Sequence, residues 1–199
     1  MLDFLALAQQ CAPSVAPQTL AAIVRTESGF NPHSIGVNGG ARLVRQPVDK
    51  AEAVATATWL VKHGYNIDFG LGQVNLANLV KLGLSIEDAF DPCKNLAAAA
   101  TILQGNYQVA RGQGQGEQAA LYAALSAYNT GSYSKGFSNG YVQKVVNNAG
   151  AGVPVVRPIA VLGAAVRPAD KQAGRAVRPS TQAKAASVLG SSTSRVMVY

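Results

Sequence analysis

No apolar run in this sequence is long enough to cross a bilayer. The longest near the start, Phe4 to Ala8, falls far short of the roughly 20 residues that a spanning helix needs. The same start lacks the basic residues and the apolar stretch of about 7–15 residues that mark a secretory signal. Asp3 stands where a positive charge belongs and Gln9-Gln10 break the run, so no export signal is expected from these rules. Histidine is scarce. His33 and His63 are the only two, one read in a loop and one at a helix end. That excludes a histidine-built metal centre and leaves the serines without an imidazole partner. Cysteine is equally scarce. Cys11 and Cys93 lie far apart with no Cys-x-x-Cys pair, which excludes a zinc or dithiol motif. They are either inert buried thiols or one disulfide closing a long loop, a bond contributing on the order of 4 kcal/mol.

Charge is also sparse, at 14% of 199 residues, and its excess of +7 is unevenly placed. Residues 1–150 hold ten basic and nine acidic side chains, a balance of +1. Residues 151–199 hold seven basic residues and one acid, Asp170, a balance of +6. The first part is therefore nearly neutral, which argues against a nucleic-acid-binding face. The Gly-rich stretch Gly112 to Gly116 follows no strand, so it is not a nucleotide-binding fingerprint.

Hydrophobic residues make up 48% of the chain, enough for a packed core. Residues 1–150 read as one mainly helical domain. A helix over Met1–Gln10 leads through Pro13 and Pro17 into a second, ending before Gly29 and Pro32. Residues 35–48 read as a loop or small β-hairpin, with Leu43-Val44 as a brief strand. Asp49 is a helix N-cap, and that helix runs to His63-Gly64. Leu76–Leu82, Ser85–Phe90, Pro92–Val109, Glu117–Asn129 and Tyr141–Asn148 read as further helices, with Asp91 and Pro92 as N-cap and first helical residue. Val-Arg-Pro recurs at residues 156–158, 166–168 and 177–179 in an Ala-, Ser- and Lys-rich background. Residues 151–199 are therefore read as a disordered basic tail.

One side chain in the first domain is out of place. Leu20, Ile23, Val24 and Glu27 fall at i, i+3, i+4 and i+7, so Glu27 continues an apolar helix stripe. A carboxyl among apolar neighbours is costly to ionise, and its raised pKa suits a general acid near neutral pH. The alternative is a solvated or ion-paired carboxylate at a helix end.

Four short motifs follow in order: Glu27-Ser28-Gly29-Phe30-Asn31-Pro32, Gly70-Leu71-Gly72-Gln73-Val74-Asn75, Ala127-Tyr128-Asn129-Thr130-Gly131 and Gly140-Tyr141-Val142. Together they resemble the motifs of lysozyme-like lytic transglycosylases, over roughly residues 5–148. The opening helices, the Gly36–Gly40 loop and Phe90-Asp91-Pro92-Cys93 resemble the specialised members that serve type IV secretion and conjugation systems. The resemblance implies a mainly α, lysozyme-like fold of the goose-type and soluble transglycosylase kind. It implies a peptidoglycan substrate, cleaved between N-acetylmuramic acid and N-acetylglucosamine to leave a 1,6-anhydromuramic end. Glu27 is then the lone acid and base, with no metal or cofactor. Ser28, Gly70, Gln73, Asn75, Tyr128, Asn129 and Tyr141 are the implied substrate contacts, the glycines admitting the glycan close to backbone. The family more often carries methionine at the position of Gly72, so an apolar contact beneath the sugar is expected to be missing. The implied site of action is the periplasm, where Cys11 and Cys93 would pair. The implied partners are glycan strands and a type IV secretion complex, reached through the tail. Two alternatives stay open. Asp68 stands where goose-type lysozymes carry an aspartate, so Glu27 and Asp68 together would make a hydrolytic muramidase. The other alternative is a non-catalytic wall-binding assembly factor.

Overall fold

The computed structural model describes residues 4–150. The reading of residues 151–199 as a disordered tail falls outside the described residues. The described chain is mainly helical. Helix α1 spans Phe4–Cys11, and α2 spans Pro17–Glu27 with Pro17 in its first turn. Helix α3, Lys50–Lys62, starts at Asp49, whose side chain accepts from the Glu52 amide at 2.8 Å. Short helices α4 (Leu76–Lys81) and α5 (Ile86–Ala89) precede the long α6, Pro92–Gly112. Asp91 caps α6 by accepting from the Lys94 amide at 2.9 Å, and Pro92 occupies its first turn. Then come α7 (Glu117–Thr130), α8 (Lys135–Ser138) and α9 (Tyr141–Ala149). Gly131 ends α7 at φ 68°, a left-handed conformation that a Cβ would oppose.

The sheet differs from the expected hairpin. Leu43-Val44 forms no strand; Leu43 is half-buried and Val44 is fully exposed. Strand β1, Ile35–Val37, instead pairs antiparallel with β2, Ile67–Phe69, which pairs with β3, Val74–Asn75. Ile35 lies opposite Phe69 and Gly36 opposite Asp68, while Asp68 lies opposite Asn75. Alternation explains this pairing. Ile67 and Phe69 are fully buried while Asp68 points the other way, the period-2 pattern of a half-buried strand. The Gly70–Gln73 motif is thus the turn of the β2–β3 hairpin.

One core cluster packs the sheet against α3 and α6 through Ile67, Phe69, Leu79, Phe90 and Ala53. A second joins α2, α7 and α9 through Ile23, Leu125, Tyr141 and Val145. Helix α6 borders both, and its buried Ala98, Ala99 and Ala100 let neighbours approach closely. Cys11 at the end of α1 is paired with Cys93 at the start of α6, Cα to Cα 5.0 Å. Helix α2 stops abruptly, because Gly29 and Phe30 are both left-handed, at φ 60° and 68°. Phe30 is held there by its edge contact with the Phe4 ring, centroids 5.0 Å apart. These packing relations place the end of α2, the β2–β3 turn and the end of α7 around one cleft.

Candidate active site

Glu27 closes α2 at the floor of a cleft of about 440 Å³. The Tyr141 hydroxyl, at the first position of α9, donates to its Oε1 at 2.6 Å. Burial dominates its electrostatics and raises its pKa from 4.5 to about 7. The Tyr141 hydrogen bond opposes that rise by favouring the carboxylate; nearby Asp68 adds to it and Lys144 opposes it. The hydroxyls of Tyr128 and Tyr141 are both pushed up by burial, so each stays a neutral donor.

The Gly70–Gln73 turn is clamped by side chains from three helices. Ser28, just past α2, donates to the Leu71 carbonyl at 2.8 Å. Asn95, on α6, accepts from the Gly72 amide at 2.7 Å. Tyr128, on α7, donates to the Gly72 carbonyl at 2.6 Å. Gln73 takes a left-handed φ of 48°, and its Nε2 donates to the carbonyls of Gly70 at 2.9 Å and Ser34 at 3.1 Å. Gln73 itself lines the cleft, with its amide oxygen close against Gly36.

Asp68, on β2, faces the same cleft. Its Oδ1 accepts from Asn75 at 2.7 Å and its Oδ2 from Asn38 at 3.0 Å. Asn75 also donates to Asn66 Oδ1 at 2.8 Å. Asn129 lines the far rim and accepts from Asn139 at 3.1 Å.

Of the residues expected to touch substrate, Gln73, Asn75, Tyr128 and Asn129 line the cleft with Glu27 and Asp68. Ser28, Gly70 and Tyr141 do not; they stand behind it and hold what does. The two glycines of the turn also differ from expectation. Both are buried. A Cβ on Gly70 would meet the Ala89 carbonyl oxygen and Asn95 Nδ2 at 2.6 Å, and one on Gly72 would meet Ala99 Cβ at 2.8 Å. Their close neighbours are the protein's own atoms. Nor does Gly72 leave a vacancy, since Ala99 and Tyr128 occupy that space.

Sequence reasoning missed Asn95, which is fully buried and also donates to the carbonyls of Phe69 at 2.9 Å and Ala89 at 2.8 Å. Its signal was available: Asn95 shares a helical face with Ala98, Ala99 and Ile102, a polar residue on an apolar stripe. It also missed Asn38, Asn66, Asn78 and Asn106 on the cleft wall, which arrive from separate segments with no shared motif. Such amides donate and accept hydrogen bonds without charge. Among the described residues no His, Cys, Asp and Glu cluster could hold a metal ion. Among them, too, no helix is long and apolar enough to cross a membrane.

Residues 4–149 match a family described as the transglycosylase SLT domain. A type IV secretion system protein virB1 of Brucella suis is 52% identical over 169 residues, covering 81% of this chain and 69% of its own. A protein virB1 of Agrobacterium fabrum is 39% identical over 152 residues, covering 76% of this chain and 61% of its own. No solved structure matches the chain.

Proposed function

The chain belongs to the transglycosylase SLT domain family, and from that premise we propose that it is a peptidoglycan lytic transglycosylase in which Glu27 works alone, first as acid and then as base. The observation that carries this reading is a single carboxyl with a pKa near 7, hydrogen-bonded by Tyr141, on the floor of an amide-lined cleft. Protonated Glu27 gives its proton to the glycosidic oxygen between N-acetylmuramic acid and N-acetylglucosamine. The bond from the anomeric carbon to that oxygen breaks, the leaving sugar departs with the proton, and an oxocarbenium-like centre forms. The muramic 6-hydroxyl then attacks the anomeric carbon and surrenders its proton to the Glu27 carboxylate, which restores the acid. No water is consumed, and the product carries a 1,6-anhydro ring. A pKa near the working pH suits a group that must both give and accept a proton.

Gln73 and Asn129 bind sugar hydroxyl or acetamide groups, and Tyr128 fixes the Gln73 turn. Asn75 holds Asp68. The presence of Asp68 in the same cleft is the one observation that favours a second reading, inverting hydrolysis with Asp68 positioning water. Mass spectrometry of products from purified sacculi separates them: anhydro ends support transglycosylation, and reducing ends support hydrolysis. Loss of all release in Glu27→Gln is expected, and undiminished release would remove Glu27 from its role. If that variant still binds glycan and still supports secretion, the protein is a wall-binding assembly factor instead.

The name of the Brucella relative, a type IV secretion system protein, supports a place beside such an apparatus, where local wall opening lets the complex through. A periplasmic location follows from that substrate. The pairing of Cys11 with Cys93 fits an oxidising compartment. Residues 151–199, with a balance of +6, are proposed as the segment that contacts a secretion component or an anionic wall polymer. Deleting them should weaken partner pull-down and wall binding; unchanged capture of both would refute the assignment.

A further inference from the structure

The chain has one tryptophan, and its side chain stands exposed. Trp59, near the end of α3, is 54% exposed, and Tyr65 beyond it is 39% exposed. Their rings lie near parallel, 26° apart with centroids at 6.3 Å, and the His63 ring stacks on Trp59 at 4.0 Å. The Tyr65 amide donates to the Leu60 carbonyl at 3.0 Å, which fixes the backbone under the stack. Together with Val80 these rings leave a contiguous apolar patch in water, the kind of surface that marks a binding site.

Beside the stack runs an open groove of about 530 Å³, floored by Tyr65, Val61, Leu76 and Val80, with Lys81 on its wall. Val80 is itself 73% exposed. The groove adjoins the cleft of Glu27, with Asn66 lining both. Asn66 accepts from Asn75, which in turn donates to Asp68 inside the cleft. The two sites therefore share one hydrogen-bonded wall.

We propose that this groove and the Trp59–Tyr65 ledge form an outer glycan subsite that receives the strand where it leaves the cleft at Asn66. This inference rests on the peptidoglycan reading of the cleft. The chemistry matches a saccharide polymer. A pyranose ring presents a face of C–H groups that packs on an aromatic ring, and acetamido methyls fit an apolar floor. Lys81 offers a cation to the carboxylates of a stem peptide, or to the lactyl carboxylate where the strand is stripped of peptide. Adjacency to the cleft favours the substrate over a protein partner, since a long strand cannot end at the cleft rim. The subsite would give preference for long strands over short fragments and raise the time the enzyme spends on one strand.

The lone tryptophan makes a direct reporter. Full-length Glu27→Gln is titrated with purified glycan strands of two, four and eight or more sugars. Calorimetry reads binding and tryptophan emission reads the ledge. The longest strands should shift or quench the Trp59 emission and bind roughly tenfold tighter than four sugars, while two sugars leave the emission unchanged. Adding Tyr65→Ala, a surface change, should erase the gain from length and leave the affinity for four sugars in place. Long strands that bind by calorimetry with no change in emission would overturn the subsite and leave the ledge to a protein partner. Absence of binding at every length would remove the glycan reading of the cleft, and this inference with it.

Discussion

Glu27 is costly to the fold that holds it. Its folded pKa of about 7 stands above its unfolded 4.5, so the native state retains a proton that the unfolded state has lost. Stability therefore falls as pH rises through that window, and above it the loss amounts to about 3 kcal/mol. Glu27→Gln should remove that loss: the variant is expected to be more stable than the parent by about 2–3 kcal/mol at pH 8 and nearly equal at pH 4. Urea denaturation at the two pH values measures this, and an equal difference at both would contradict a buried carboxyl. Activity that needs protonated Glu27 should decline above pH 7. Tyr141→Phe removes the hydrogen bond that favours the carboxylate, so the alkaline limb of the rate profile should move to higher pH while kcat falls. A limb that moves to lower pH would contradict the assigned donor. The burial of Glu27 was legible because its helical spacing puts it on an apolar stripe. Its bond to Tyr141 was not derivable from spacing, since the partners lie 114 residues apart and meet only when α9 docks on α2.

At the scale of elements, the decisive piece is the β2–β3 turn and the helices that grip it. Asn95 meets one amide and two carbonyls there. Asn95→Leu should cost about 3 kcal/mol or more, because each buried group left unpaired costs about 1–3 kcal/mol. Thermal or urea unfolding checks it, and a loss under 1 kcal/mol would show that the turn stands without Asn95. Gly72→Met forces a Cβ to 2.8 Å from Ala99 Cβ. It should destabilise the turn, and a second change, Ala99→Gly, should recover most of the loss in a double-mutant cycle. Additive losses would place the conflict elsewhere. The helices were legible through their caps, as Asp49, Asp91-Pro92 and Gly131 show. The sheet was not. Its strands are two or three residues long, and β1 finds its partner only beyond the whole of α3. Leu43-Val44 was the nearer apolar pair, but Val44 has nothing to bury against.

For the whole molecule, the Cys11–Cys93 pair joins positions 82 apart and ties α1 to the start of α6. By loop entropy it should contribute on the order of 4 kcal/mol. Replacing both cysteines by alanine should lower the unfolding free energy accordingly while leaving the products of cleavage the same, since neither residue lines the cleft. The overall class was legible from four motifs in order, but the asparagine lining appears only once separate segments converge. The central claim is that one carboxyl, without a water-positioning partner, cleaves the glycan. Mass spectrometry of sugar ends released from sacculi tests it most directly, with Glu27→Gln and Asp68→Asn beside the parent. The parent and Asp68→Asn are expected to release 1,6-anhydro ends, and Glu27→Gln none. Reducing ends from the parent, lost in Asp68→Asn, would contradict the claim.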